Sequence, residues 1–363
     1  MLDFTSSLYL GLRHESDSLE PWDQLTLGRP AALQEDCEAV AAAEELAALV
    51  GCAAGTLLPS TFHLFWDLFG VLRRDPIAIY MDIATYPIAR WGAQHWAGRG
   101  VPVQSFTRHD AGRLARLLGQ RGNVRPVVLC DGFCPGSRSQ PPLSDYAALA
   151  LQHGGWLVID DTQSLGVYGH GPSPSAPYGI GGGGSLRRHG LTGAHIIVGA
   201  SLAKGFGVPV ALLAGSAALL RRFRRESASR EHMSPPSQAA IKATRHALAV
   251  NRMKGEGLRM QLWRAVHRLR AGLSALHLVT QGGVFPVQTL TSPASVDLVR
   301  LHHQLLRRGV RTVLHRDRGN GASLSFVVTA VHTAMHIDRA LAQVAHAMRA
   351  PVEPAISSYA RRS

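Results

Sequence analysis

Lysine is scarce in this sequence. Three of its 38 basic residues are lysines, and all the others are arginines. A guanidinium stays protonated, whereas a lysine amine can lose its proton and form a Schiff base with an aldehyde. Lys204 follows an apolar run that ends in small residues, and it precedes glycine, in the stretch 196–207 (IIVGASLAKGFG). It is therefore the candidate for a covalent cofactor, whereas Lys242 and Lys254 fall in polar helical patterns typical of solvated charges.

Cysteine and long apolar runs are scarce as well. The four cysteines do not indicate a disulfide framework and favour a reduced, cytosolic protein. Cys130 and Cys134 have a poor zinc spacing without a second ligand pair, so we interpret them as packing residues. Residues 1–12 lack the basic start and apolar core of a signal peptide, and no apolar stretch is long enough to cross a bilayer. We expect a cytoplasmic protein without a membrane partner.

The charge is one-sided, with 38 basic against 25 acidic residues and a net charge of +13. Such a balance can indicate a nucleic-acid or acidic partner. The arginines are scattered, however, and the cluster 221–225 (RRFRR) reads as a helix end that follows a strand. We therefore favour a solvated arginine surface and predict no nucleic-acid partner.

Several short apolar runs end in polar or glycine residues. They are Val127–Cys130, Trp156–Ile159, His195–Val198 and Val210–Ala214, with a helical pattern at Leu143–His153 between the first two. Continuous apolar strands that alternate with helices predict an α/β fold with a mostly parallel sheet covered on both faces. Ligands bind beyond the carboxyl ends of such strands. Asp131, Asp160 and Ser201 stand at those ends, so we expect them on one rim of the sheet.

The rest of the chain predicts a second, smaller unit. Residues 169–190 are rich in glycine, proline and serine and are expected to form a mobile loop near the rim; a phosphate-cradling loop is the alternative, but it lacks the GK[ST] ending. Pro235 and Pro236 precede a long helical pattern from Gln238 to about Leu273. Strand and helix patterns follow at Phe285–Leu290, Val296–Arg308, Ser323–Val328 and His336–Met348. We predict an N-terminal arm (1–50), a large domain (51–240), and a linking helix with a small α+β C-terminal domain (241–363).

Four segments resemble one family in their order and spacing. Residues 2–12 (LDFTSSLYLGL) are similar to F-x-S-N-D-Y-L-G-L, 160–166 (DDTQSLG) to D-D-A-H-S-x-G, 201–207 (SLAKGFG) to T-L-S-K-A-F-G, and 330–339 (AVHTAMHIDR) to A-A-H-T…I-D-R. The chain thus resembles a fold-type I pyridoxal-phosphate enzyme of the aminotransferase class I/II superfamily. Within it, the motifs resemble the α-oxoamine synthases, a group that includes 8-amino-7-oxononanoate synthase, 2-amino-3-ketobutyrate CoA ligase and serine palmitoyltransferase.

The resemblance implies pyridoxal 5′-phosphate as the cofactor and gives roles to particular residues. The cofactor is an electron sink that works best with a protonated ring nitrogen, so Asp160 would face that nitrogen; a helix cap after a strand is the alternative. Lys204 would hold the cofactor as a Schiff base and later move protons at the substrate carbon. Asp131 replaces the family's glutamate. Gln163 replaces a histidine beside the ring hydroxyl, where it can donate a hydrogen bond but cannot titrate.

Other residues would bind the ring and the phosphate by the same resemblance. Ser201 matches a phosphate-contacting hydroxyl three residues before the lysine. Ser60, Thr61 and Phe62 match the phosphate loop, at the start of a helical pattern whose N-terminus favours a dianion; an ordinary N-cap is the alternative. Tyr86 matches a histidine that stacks on the ring, and tyrosine can stack too; a turn tyrosine before a proline is the alternative.

Two departures concern the substrate. The family holds the carboxylate of its amino-acid substrate with an asparagine near the N-terminus and an arginine in a C-terminal strand. This sequence has Ser7 and the run 323–325 (SLS) at those positions. Serines do not replace a bidentate arginine clamp. Either the substrate has no carboxylate there, or another arginine holds it, such as Arg311, Arg316 or Arg318.

Three functions follow from these motifs. The first is condensation of an amino acid with an acyl thioester, as in the α-oxoamine synthases. The second is an aminotransferase that acts on an atypical amine, and the third is a degenerate, non-catalytic subunit. His232 would reach the phosphate of a partner subunit, and a homodimer is expected. No metal site is predicted, because His332 and His336 lack a third ligand and are expected at the surface.

Overall fold

The computed structural model describes residues 1–120, 122–291, 296–316 and 321–349. Its strands are β1 (Leu2–Asp3), β2 (Ala54–Leu58), β3 (Ile77–Asp82), β4 (Val103–Phe106), β5 (Arg125–Asp131), β6 (Trp156–Asp160), β7 (Ile196–Ser201), β8 (Ala211–Gly215), β9 (Val279–Gln281), β10 (Val287–Thr291), β11 (Val310–Arg311), β12 (Val313–Arg316) and β13 (Ala322–Val327). Its α-helices are α1 (Cys37–Val50), α2 (Thr61–Leu72), α3 (Pro87–Ala97), α4 (Ala111–Gly119), α5 (Leu143–Gln152), α6 (Gly184–His189), α7 (Ala217–Glu226), α8 (Ala228–His232), α9 (Gln238–Ala275), α10 (Leu298–Arg307) and α11 (Ala334–Arg349).

A seven-stranded sheet in the order β2-β8-β7-β6-β5-β3-β4 forms the centre of the fold. Strands β3, β4, β5, β6 and β7 run parallel, whereas β8 is antiparallel to both β7 and β2. Alternate residues of β5 pack on opposite faces: Val128 and Cys130 join one hydrophobic cluster, and Val127 and Leu129 join the other. Both faces are buried, which explains why this strand is apolar throughout. The predicted mostly parallel, two-sided sheet is confirmed.

The four strands predicted for the large sheet are present, with ends within three residues of those expected. Strands β5, β6 and β7 end at Asp131, Asp160 and Ser201. Because these strands are parallel, the three polar residues lie at the same edge of the sheet. Strands β7 and β8 pair antiparallel from Ser201 opposite Ala211, so the short connection between them projects from that edge.

A second sheet, with the order β12-β13-β10-β9, is antiparallel throughout. Helix α9 joins it to the large sheet and begins after Ser237, whose hydroxyl accepts a hydrogen bond from Ala240 N at 3.3 Å. The N-terminal residues join this smaller unit, since β1 pairs with β11 and the Phe4 ring packs edge-on against Phe326 at 5.6 Å. We propose domain boundaries near residues 50 and 240, with the first 50 residues as an arm.

The glycine-rich segment 169–190 is more regular than predicted. Gly166 N donates a hydrogen bond to Gly182 O at 2.8 Å, and α6 lies within the segment. Asn251 of α9 donates to Gly181 O at 3.0 Å, and Gly181 N donates to Glu256 Oε1 at 2.8 Å, so these bonds hold the segment against the long helix. The mobility of this loop stays a prediction, but its regular hydrogen bonding was not expected, because the glycines permit close contacts between backbones that no hydrophobic period reveals.

His332 is a core residue and not the surface residue that was expected. It stacks on Phe4 with ring centroids 4.3 Å apart, and Thr329 N donates to its Nδ1 at 2.9 Å. Burial lowers the pKa of His332. It precedes α11, whereas His336 lies within that helix, so the pair does not share a helical face. Among the described residues, no group of three or more histidine, cysteine or acidic side chains is placed to hold a metal ion.

All four cysteines are free thiols. Cys130 and Cys134 are buried, which agrees with a packing role, and burial raises the pKa of the Cys130 thiol. Within the described ranges, no helix combines the length and the apolar character that a membrane span requires.

Candidate active site

A cavity of about 250 Å³ opens at the edge of the large sheet where β5, β6 and β7 end. It is lined by Thr61, Tyr86, Ile88, Asp131, Pro135, Asp160, Thr162, Gln163, Ser201 and Lys204. Seven of the ten candidate residues from the sequence therefore share one cavity. The volume is below the roughly 300–1,000 Å³ of pockets for drug-sized ligands, so it suits a small, flat molecule.

A larger cavity, of about 1020 Å³, lies between α9 and the start of α11. Its described walls contain no lysine and no acid at the end of a parallel strand. The chemistry therefore points to the smaller cavity.

The two acids of the site sit side by side. Asp131 and Asp160 are partners in the register of β5 and β6. Asp160 Oδ1 accepts a hydrogen bond from Thr162 N at 3.1 Å, and Asp131 Oδ1 accepts one from Tyr86 N at 3.0 Å. Burial raises the pKa of Asp160, and burial together with the charge of Asp160 raises the pKa of Asp131. A cationic or proton-donating ring placed between these two acids and the solvent would lower the cost of ionising them.

Lys204 lies in the connection between β7 and β8. A backbone hydrogen bond from Leu202 N to Val210 O, at 2.9 Å, closes this connection. Burial lowers the pKa of the Lys204 amine, while the charges of the two strand-end acids oppose the shift. The amine lies 5.7 Å from the centroid of the Tyr86 ring. A lowered pKa increases the fraction of neutral amine, which is the form that attacks an aldehyde.

Gly205 lets the lysine connection approach the segment that follows β6. A Cβ atom at this position would collide with the carbonyl oxygen of Leu165 and would stand 3.1 Å from Gly166 Cα. Only glycine fits without a shift of the backbone. Close packing of the two backbone segments thus explains why a glycine follows Lys204 in the sequence.

Thr162 is a site residue that the sequence analysis did not single out. Its hydroxyl accepts a hydrogen bond from Ser201 N at 2.9 Å, so it joins the ends of β6 and β7. Ala203 N donates to Ser201 Oγ at 3.3 Å and continues this network towards Lys204. A hydroxyl two positions after a strand-end acid is the signal that could have found Thr162. Pro135 also lines the cavity, and no sequence signal indicated it.

Gln163 lies beside Thr162 in the cavity wall. Its Oε1 accepts a hydrogen bond of 2.6 Å from the hydroxyl of Tyr9. Tyr9 belongs to the N-terminal arm and is 1% exposed. The sequence motif contains Tyr9 but gave it no role.

The start of α2 brings a helix N-terminus to the cavity. Thr61 lines the cavity, while Ser60 is the N-cap residue without a side-chain cap bond and contacts His63 Nδ1 at 2.9 Å. An N-terminus without a side-chain cap leaves N–H groups for an anion. Phe62 does not line the cavity; it is 45% exposed and lies 5.7 Å from the ring of Trp66.

Two further candidate residues, besides Phe62, are exposed. Tyr86 precedes α3 at the mouth of the cavity and is 51% exposed. His232 ends α8 at the surface and does not line the cavity. Among the described residues, none covers either side chain completely.

The positions of the expected carboxylate clamp are neutral. Ser325 of β13 is 1% exposed, and its hydroxyl lies 2.8 Å from that of Thr289 in β10. Arg311 and Arg316 are exposed strand residues outside the cavity walls, and Arg318 lies outside the described residues. No arginine contributes to the described lining of the cavity.

Comparison with known proteins identifies the family of this chain. The sequence profile described as "Aminotransferase class I and II" matches residues 74–344. The chain belongs to this family of pyridoxal-phosphate-dependent enzymes, which confirms the resemblance found in the motifs. Its cofactor is pyridoxal 5′-phosphate.

Two curated relatives carry the same name. An 8-amino-7-oxononanoate synthase from Thioalkalivibrio sulfidiphilus is 31% identical over 256 residues, which cover 69% of this chain and 62% of that protein. The one from Alkalilimnicola ehrlichii is 28% identical over 246 residues, covering 66% and 59%. The match thus spans about three-fifths of the length of these relatives.

Solved structures share the fold. A serine palmitoyltransferase from Sphingomonas wittichii superposes with a TM-score of 0.83 at 16% identity, covering 96% of this chain and 87% of that one. An 8-amino-7-oxononanoate synthase from Francisella tularensis gives a TM-score of 0.69 at 17% identity, covering 95% and 97%. The chain therefore shares the fold-type I architecture of these solved structures.

The residues of the cavity suit pyridoxal phosphate. A buried lysine with a lowered pKa can bond to the aldehyde, and a buried acid can face the ring nitrogen. The start of α2 offers N–H groups for the phosphate, and Tyr86 offers an aromatic face.

Proposed function

We propose that this protein is a pyridoxal-phosphate-dependent transferase of the α-oxoamine synthase type, with the cofactor bound covalently to Lys204. The observation that carries the proposal is the shared cavity of Lys204 and Asp160, in which burial lowers the pKa of the amine and raises the pKa of the acid. A lysine whose neutral form is favoured can bond to the aldehyde of the cofactor, and an acid beside the ring can share a proton with the ring nitrogen.

The bound cofactor supplies an electron sink for a carbanion beside its nitrogen. Asp160 would hold a proton at the ring nitrogen. Lys204 would hold the cofactor at its aldehyde carbon and would supply the amine that moves a proton at the substrate carbon. Thr61 and the start of α2, together with Ser201, would bind the phosphate, and Tyr86 would cover the ring. Asp131 orients Tyr86 by accepting a hydrogen bond from its backbone N–H.

The amine substrate has no carboxylate at the place where the family binds one. The support is the absence of arginine from the described lining of the cavity and the pairing of Ser325 with Thr289. Transfer of a carboxylate to such a place would leave its charge without a counter-ion, which is costly in a buried site. Condensation with an acyl thioester would then form a bond between the acyl carbon and the carbon beside the amine nitrogen, with loss of a proton from that carbon and of the thiol from the thioester.

An aminotransferase is the second candidate. It is favoured by the same neutral clamp positions, since transamination accepts amines without a carboxylate. A non-catalytic subunit is disfavoured, because Lys204 and Asp160 both remain and lie in one cavity. Function in the cytosol stays a prediction that rests on four free cysteines.

A second copy of this chain completes the site in the proposed enzyme. Tyr86, at the cavity mouth, and Phe62, which follows the lining residue Thr61, expose 51% and 45% of their surface, and exposed aromatic side chains of this kind favour a partner surface. His232, at the surface, would reach the phosphate of the neighbouring subunit. The expected particle is a homodimer.

The test pairs each amino acid with the amine that lacks only its carboxylate: glycine with methylamine, alanine with ethylamine, and serine with ethanolamine. Protein loaded with pyridoxal phosphate is mixed with each compound and an acyl-CoA, and released thiol is measured. Thiol release with an amine supports the proposed condensation, and conversion of the cofactor to its amine form without thiol release supports the aminotransferase. If the amino acids react and the corresponding amines do not, the proposed loss of the carboxylate site is contradicted.

A further inference from the structure

Tyr9 and Gln163 form a hydrogen bond between parts of the chain that are 154 residues apart. The Tyr9 hydroxyl donates to Gln163 Oε1 at 2.6 Å, and its ring packs edge-on against Phe285 with centroids 5.4 Å apart. Tyr9 is 1% exposed, so its ring cannot turn away into solvent. Gln163 lines the cavity of the cofactor.

This bond fixes which end of the amide faces the cavity. Burial raises the pKa of Tyr9, so its hydroxyl remains a neutral donor. In the described part of the chain, that hydroxyl has Gln163 Oε1 as its acceptor and no other. If the amide were reversed, the hydroxyl proton would lose its acceptor inside the core, which costs about 1–3 kcal/mol. The Oε1 end is therefore held by Tyr9, and the two N–H groups of Nε2 are left for the cavity.

We propose that Tyr9 is a positioning residue, which holds Gln163 as a permanent N–H donor to the ring oxygen of pyridoxal phosphate. This inference rests on the proposed function of the site. A histidine at this position would switch between donor and acceptor states as it titrates, whereas an anchored amide does not.

The donor has a measurable effect on the bound cofactor. A hydrogen bond to the ionised ring oxygen spreads its negative charge, so that the oxygen attracts the proton of the neighbouring nitrogen, which is bonded to Lys204, less strongly. Loss of the donor should therefore raise the pKa of the visible absorbance of the lysine-bound cofactor. The titratable groups that line the cavity beside Gln163 are Asp131, Asp160, Lys204 and Tyr86, and none of them is altered in the test.

The experiment is a spectrophotometric pH titration of the holoenzyme without substrate, for the wild type, Tyr9→Phe, Gln163→Leu and the double variant. We expect Gln163→Leu to raise the spectroscopic pKa by about one unit and Tyr9→Phe by about half a unit. In the Gln163→Leu background, Tyr9→Phe should add nothing, because Tyr9 acts only through the amide.

Tyr178→Phe is the matched control. Tyr178 is also 1% exposed, and its hydroxyl donates a buried hydrogen bond of 2.7 Å, but to Val284 O instead of the site. It should lower thermal stability about as much as Tyr9→Phe and leave the spectroscopic pKa unchanged. An equal shift in Tyr178→Phe, or no shift in Tyr9→Phe while the wild type shows a band that borohydride bleaches, overturns this inference alone. A wild type without such a band overturns the proposed function and this inference with it.

Discussion

Asp131 and Asp160 stand opposite one another at the ends of two paired parallel strands, and both are buried. Each raises the cost of ionising its neighbour. Their hydrogen bonds differ. Asp160 accepts one from the backbone N–H of Thr162, two residues further along the chain, whereas Asp131 accepts one from the backbone N–H of Tyr86, which precedes α3. We propose that Asp160 serves the cofactor ring and that Asp131 orients Tyr86, which would cover that ring.

This difference predicts unequal effects of two matched substitutions. Asp160→Asn removes the charge that would balance the ring nitrogen, so cofactor affinity should fall by roughly 10- to 100-fold, the worth of a charged hydrogen bond. Asp131→Asn retains an oxygen for Tyr86 N and should lower affinity by less than about threefold. Cofactor retention, measured by absorbance during dialysis, distinguishes the two, and a larger loss in Asp131→Asn would contradict the assignment.

Replacement of Asp161 by asparagine should stabilise the protein as the pH rises. It is 1% exposed, Oδ2 accepts a hydrogen bond from Ser185 N at 2.9 Å, and Oδ1 has no partner in the described structure. Burial raises the pKa of Asp161 from 3.8 to about 7. Between these values the folded protein retains a proton that the unfolded chain releases, so stability from this group falls as pH rises. Asp161→Asn retains an acceptor and carries no charge.

We expect the difference in free energy of unfolding between Asp161→Asn and the wild type to depend on pH. Between pH 4.5 and pH 8 it should shift by roughly 1–3 kcal/mol in favour of the variant. Urea unfolding of both proteins at the two pH values, in excess cofactor, measures this change. An identical difference in the free energy of unfolding at both pH values would show that the carboxyl ionises without cost.

Gly205 predicts a steric effect beside the lysine. Gly205→Ala places a methyl group against Leu165 O and should destabilise the fold by about 1–3 kcal/mol and displace the connection that carries Lys204. Gly257→Ala in α9 is the control, since a Cβ there meets nothing within 4 Å, and it should stabilise by about 0.5–1 kcal/mol. Thermal unfolding measures whether each variant is more or less stable than the wild type. A Gly205→Ala protein that is as stable as the wild type and binds the cofactor fully would refute the close approach.

The sequence indicated the parallel sheet and the rim because apolar runs and the polar residues that end them are local signals. Asp160 and Ser201 needed only the rule that parallel strands end at one edge. The anchoring of Gln163 by Tyr9 was not predictable in the same way, because the contact joins residues 154 positions apart. The prediction of a surface position for His332 was wrong for a related reason, since its stacking partner Phe4 comes from the opposite end of the chain.

The scarcity of lysine makes the central claim directly testable. Lys242 is engaged with Glu38 at 2.8 Å, and the double variant Lys242→Arg/Lys254→Arg leaves Lys204 as the sole lysine in the sequence. Purified protein is loaded with pyridoxal phosphate, reduced with borohydride, digested and analysed by mass spectrometry. The account predicts one reduced adduct on Lys204, in both the wild type and the double variant, and none in Lys204→Arg. An adduct on Lys242 or Lys254, or no adduct on any lysine, would contradict it.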